Sequence, residues 1–209
     1  MRRESSTVVV LAGEVGGGLL AGLARSPGVS VARASTSATG GPARDETRDE
    51  VARPGWETGA RALREAARHR SMYVIVPEDP LADLAAAWRA MWQAPAGPGG
   101  AAGFEEHAAQ ALAAWRDRRF ELPDYYLVVA PAQGTAAGPD LYLGPLRAVR
   151  PRRVALAATA DGAAQVAGVR RALGSLGHGP WWPPLDELID AARHFYAGGL
   201  TETQQVRRA

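Results

Sequence analysis

Five short stretches of the chain are dense in apolar residues and bounded by Gly, Pro or charged positions: residues 7–12 (TVVVLA), 29–34 (VSVARA), 72–76 (MYVIV), 125–130 (YYLVVA) and 153–158 (RVALAA). The first, third and fourth are almost continuously apolar, the pattern of strands covered on both faces. The second alternates and suits a strand nearer an edge. Between them lie segments whose apolar positions recur at helical spacing: 15–25, 56–70, 81–93, 104–119, 141–149, 163–176 and 185–196. Strands and helices that alternate at this spacing predict an α/β domain: a three-layer, Rossmann-like, doubly wound, mainly parallel sheet of about five strands. Right-handed crossovers follow from that arrangement.

The interruptions shape the expected domain. Residues 35–55 are long, polar and Gly/Pro-containing, which reads as a flexible insert or flap. Residues 94–103 (APAGPGGAAG) join two helical segments, so 79–119 reads as a helical hairpin. No repeat or composition shift divides the chain, and residues 1–200 read as one domain with a frayed tail at 201–209.

Composition narrows the chemistry. The 209 residues contain no cysteine, which removes thiolate catalysis, disulfides and Cys-based metal sites. No apolar run approaches the length of a membrane helix, and 8–12 is too short for a signal-peptide core, so a soluble, cytoplasmic protein is expected. All 24 basic residues are Arg, and the formal net charge is only +2. An arginine-rich stretch, 141–180, carries Arg147, Arg150, Arg152, Arg153, Arg170 and Arg171 against Asp161 alone. With so small a net excess, and no nucleic-acid-binding motif, a solvated face is the better reading, and nucleic acid is not an expected partner.

In a parallel sheet ligands bind beyond the carboxyl ends of the strands. The residues expected there are Glu14, Glu78, Asp79, Gln133 and Asp161, with Gly16, Gly17 and Gly18 after the first strand. The string Gly16-Gly17-Gly18-Leu19-Leu20-Ala21 matches G-x-G-x-x-A, whose glycines let a backbone approach a pyrophosphate at a helix N-terminus. It starts four residues past Ala12, and the second strand ends in Ala32-Arg33-Ala34 without the acid that would hold a ribose. Gly16, Gly17, Gly18, Asp79, Gln133 and Asp161 are therefore candidate ligand-binding residues, and Glu14 and Glu78 candidate acid/base residues. Capping accounts well for Asp79, because Asp-Pro-Leu opens a helical run; Asp161 also suits a cap. The four histidines show no metal spacing. His178 stands apart, in a loop beside Trp181 and Trp182, where a histidine could line a pocket. The residues identify no cofactor and no metal.

Two functions from different classes fit. One is binding of a small nucleotide-like or phosphate-bearing ligand at the carboxyl edge of the sheet. The alternative is a non-catalytic interaction or accessory module, binding a protein partner or a second copy through the Trp88, Trp92 and Trp115 helices and the segment 181–184. Exposed indoles would favour the second, and buried indoles with an open strand-end cleft the first.

Overall fold

The computed structural model describes residues 6–13, 15–34, 55–93, 98–131, 140–159 and 163–206. Five strands, β1 (Thr7–Gly13), β2 (Val29–Val31), β3 (Tyr73–Val76), β4 (Tyr125–Pro131) and β5 (Val154–Thr159), form one sheet in the order β2-β3-β1-β4-β5. Every pairing is parallel; Val10, for instance, lies opposite Val76 on one side and Tyr126 on the other. The helices are α1 (Gly17–Ala24), α2 (Gly55–Ala66), α3 (Ala82–Gln93), α4 (Pro98–Arg116), α5 (Arg147–Val149), α6 (Ala163–Gly174) and α7 (Leu185–Val206).

The period-two alternation of the strands sorts the core into two layers. Val10, Ala12, Val74, Val76, Tyr126 and Val128 face helices α2, α3, α4 and α7. Val9, Leu11, Ile75, Leu127 and Val129 face α1 and α6. Helices cover both faces, so the doubly wound three-layer architecture holds. It also explains why the strands read as unbroken apolar runs.

Four local outcomes differ from the sequence reading. The second strand ends at Val31 rather than 34: Val29, Ser30 and Val31 are in register with β3, and the last bond to it is that of the Ala32 N–H to the Ile75 carbonyl at 2.8 Å. The segment 141–149 is a π-helical turn, Tyr142–Leu146, running into the short α5. Pro145 supplies no N–H for the α-helical ladder, and the next amide, Leu146, bonds back five residues to the Leu141 carbonyl. At the chain end α7 continues to Val206, into the stretch expected to fray. The 94–103 linker is also shorter than expected, since α4 begins at Pro98, where a first-turn proline costs the helix nothing. The expected insert lies outside the described residues as far as 54.

Candidate functional site at the carboxyl edge of the sheet

The strand order sets where a ligand could enter. From β1 the chain passes over β3 to reach β2, whereas from β4 it turns the other way to β5. Adjacent strands with diverging connections leave a crevice beyond their carboxyl ends, here between β1 and β4.

Gly13 closes β1 at this point. Its φ is +99°, and a Cβ placed there would sit 2.4 Å from the Val129 carbonyl oxygen on β4, so the position demands glycine twice over. Helix α1 then begins at Gly17, with Gly16 in an extended N-cap conformation (φ −78°, ψ 153°). No side chain caps this end and no acid stands in its first turn. Gly16, Gly17 and Gly18 have open space where their Cβ atoms would be. The result is the positive end of a helix, unshielded by any described residue, at the switch point of the sheet.

The strand end also re-frames the glycine pattern. Because β1 runs through Gly13, the spacing at the turn is Gly13-x-x-x-x-Gly18, followed by Leu19 and Leu20. In phosphate-binding loops of that spacing the next two residues are Lys, which reaches the phosphates, and Ser or Thr, which holds Mg²⁺. Here both are leucines buried in the layer under α1. The turn can offer backbone N–H groups to an anion, but not the lysine and hydroxyl of that chemistry.

Beside this turn, β3 delivers Pro77-Glu78-Asp79. Glu78 is half-buried, and its carboxyl is raised above the ordinary value by desolvation, while its own N–H, the Arg33 guanidinium and the Ala34 N–H act in the opposite direction. Its Oε2 is buried without a hydrogen-bond partner. A carboxyl with a raised pKa and an unused oxygen suits proton transfer, or acceptance of a ligand hydroxyl or amine.

Asp79 plays a different part. Its Oδ1 accepts the Leu81 N–H at 2.9 Å, which is the cap expected from sequence, and its Oδ2 accepts the Tyr142 hydroxyl. It is 8% exposed, and desolvation lifts its carboxyl to about 6 despite those bonds. Both oxygens are thus occupied within the fold. Gly59 of α2 packs so closely here that a Cβ would come 2.3 Å from the Pro80 nitrogen. Tyr126 and Tyr142, which the sequence reading did not single out, are the phenols that act on this carboxyl. Glu14, Gln133 and Asp161 lie outside the described residues.

His178 sits at the other end of the molecule. Residues 176–184 form a strap beneath the amino ends of β4 and β5, where the Tyr125 hydroxyl donates to the Gly177 carbonyl and Trp182 Nε1 to the Pro123 carbonyl. Much of the arginine-rich stretch is used to hold it. Arg150 donates to Trp181 O at 2.6 Å, Arg152 to His178 O at 3.1 Å, and Arg153 to Gly179 O and Pro180 O at 2.7 and 3.1 Å. The Arg153 guanidinium also lies over the Tyr125 and Trp181 rings. Among the described residues no three His, Asp or Glu side chains gather as a metal site would require, and no helix is long and apolar enough to cross a membrane.

The indoles are mostly internal. Trp88 and Trp182 are buried, and Trp56, Trp92 and Trp115 pack partly buried against the same core layer; Trp181 is 41% exposed. Compared with models of known protein families, with curated proteins and with solved structures, the chain finds no match.

Proposed function

We propose that this chain binds a small anionic ligand, phosphate-bearing or nucleotide-like, in the crevice beyond the carboxyl ends of β1, β3 and β4. The backbone N–H groups at Gly16, Gly17 and Gly18 take the anionic group, and Glu78 accepts a hydroxyl or amine of the same ligand. The observation that carries this reading is the uncapped, glycine-lined N-terminus of α1 at the switch point of the sheet. The buried leucines at 19 and 20 argue for holding the anion by backbone alone. Any catalysis would be acid/base chemistry at Glu78, whose elevated pKa favours proton exchange nearer neutrality.

The alternative, an interaction module presenting the tryptophans of α3 and α4, is less well supported because Trp88 is wholly buried and Trp92 and Trp115 pack against the core. Trp181 alone offers a large exposed indole face among the described residues.

A thermal-shift panel of inorganic phosphate, nucleoside mono-, di- and triphosphates and dinucleotides tests the proposal. A ligand at a hundred times its Kd stabilises by about 2.7 kcal/mol, a rise of several degrees in Tm for a chain of this size. The variant Gly17→Glu has room for its side chain and gains a favourable helix-dipole contact, so it should fold. Its carboxylate occupies the anion position, and the shift should vanish. No shift with any member of the panel at millimolar concentration removes the proposal.

A further inference from the structure

Asp79 is the one buried carboxyl group among the described residues. The groups that act on it come from three elements: Tyr142 from the π-helical turn, Tyr126 from β4, and the Leu81 N–H and Asp83 from the start of α3. Asp140, just ahead of the π-helical turn, acts on Tyr142, and Arg33 acts on the neighbouring Glu78. From α2 the close contact is Gly59, which carries no charge. Among the described residues none of the groups acting on Asp79 is a cation. An ionised Asp79 would therefore be a buried charge without a counter-charge, and such groups shift toward the neutral form.

The hydroxyls around it do not offset this. The Tyr126 ring stands against the Tyr142 ring at 5.0 Å, and its buried hydroxyl, like that of Tyr142, favours the ionised carboxyl, yet the cost of burial outweighs both.

We propose that Asp79, Tyr126 and Tyr142 form a proton-operated latch between the turn after β3 and the π-helical turn, closed when Asp79 is the neutral acid and releasing its proton to water when opened. The turn that carries Asp79 also carries Glu78, and Tyr142 stands where the chain returns from β4, so the latch joins two banks of the carboxyl edge. It stands whether or not the crevice takes a ligand.

The direction of its pH dependence follows from the two states. In the closed latch Asp79 titrates at about 6, and in the opened, hydrated turn at its ordinary value of 3.8. Closure is fully stabilised below about pH 4 and weakens as the pH rises through 6. Over that window opening releases one proton, so its equilibrium constant climbs about tenfold per pH unit, reaching about a hundredfold.

Amide hydrogen exchange on the full chain reads this directly, through the Leu81 and Tyr142 N–H groups between pH 4 and 7, together with a carbon NMR titration of the Asp79 carboxyl. Protection factors, corrected for intrinsic base catalysis, should fall by up to about a hundredfold in wild type and stay level in Asp79→Asn. Tyr142→Phe removes a donor to the carboxylate and should raise the Asp79 titration. Tyr126→Phe removes a second hydroxyl that favours the carboxylate and should raise it too, by less. An Asp79 carboxyl that titrates at or below its ordinary value in wild type would overturn the latch, even if every variant failed to fold. So would protection that does not change with pH.

Discussion

Gly13 and Gly17 stand four residues apart, yet a methyl group should act on them in opposite ways. At Gly13 the backbone is left-handed and β4 leaves no room, so Gly13→Ala should cost about 2 kcal/mol or more, read as a lower urea midpoint with an unchanged slope. At Gly17 the backbone is helical and the space open, so Gly17→Ala should be neutral or stabilising by up to about 1 kcal/mol. The tryptophans divide similarly. Trp88→Ala empties the centre of the α3–α4–α7 layer, where its ring meets Trp92, Phe104 and Tyr196, and should cost about 3–5 kcal/mol. Trp181→Ala should cost far less in the same urea titration, because much of its face is already in water. The sequence could rank neither pair: the need for glycine at 13 comes from a carbonyl 116 residues downstream, and a strand neighbour is not written in local pattern. Asp79 was legible as a cap because that role uses its own next residues. Its second role, under Tyr142, depends on packing across the sheet.

At the scale of elements, the strap and the α4–α7 contact are both held by arginines but should differ in strength. Arg153 spends its guanidinium on three backbone carbonyls, those of Asp124, Gly179 and Pro180, and on two aromatic rings. Arg153→Ala should lower stability by about 1–3 kcal/mol, and Arg153→Lys should not restore it, since a single ammonium cannot reproduce the planar fork. Arg193 instead pairs with Glu105 at 2.6 Å and Asp190 at 2.6 Å on an exposed surface. Glu105→Gln should change stability by about 0–1 kcal/mol, and less in high salt. Denaturant titrations of both variants at low and high ionic strength check the pair of expectations. These elements also show what periodicity can carry. Strands buried on both faces announce themselves as apolar runs, so β1, β3 and β4 were found within a residue or two. The β2 end, the π-helical turn and the strap were not, because each is decided by its neighbours: the reach of β3, the missing N–H of Pro145, and the carbonyl-seeking arginines before β5. The arginine-rich stretch was read as a solvated face, and its arginines 150, 152 and 153 instead fasten a loop.

Across the whole molecule the two ends of the sheet are built differently. The amino ends of β4 and β5 are closed by the strap, whose carbonyls are bonded by arginines and whose Trp182 is sealed into the core. At the carboxyl end, among the described residues, β1 leads to a helix N-terminus that no side chain caps, and β3 delivers a carboxyl with an oxygen to spare. The sequence pointed to this edge as the place for a site from the general rule for parallel sheets, without the strand order, and it framed the glycines from Gly16 rather than from Gly13. Only with β1 seen to run through Gly13 does the turn become the short link expected between a strand and an anion-binding helix. The account therefore stands on one physical claim, that the N–H groups at the start of α1 hold an anion. An amide-resolved NMR titration of the full chain with inorganic phosphate, then with the best-stabilising nucleotide, measures this most directly. Saturable shifts of the Gly16, Gly17, Gly18 and Leu19 amides, lost in Gly17→Glu and absent from Gly177 and Gly179 in the strap, are the predicted result. Amides of Gly16, Gly17 and Gly18 that stay unmoved while either ligand binds elsewhere, or not at all, would contradict it.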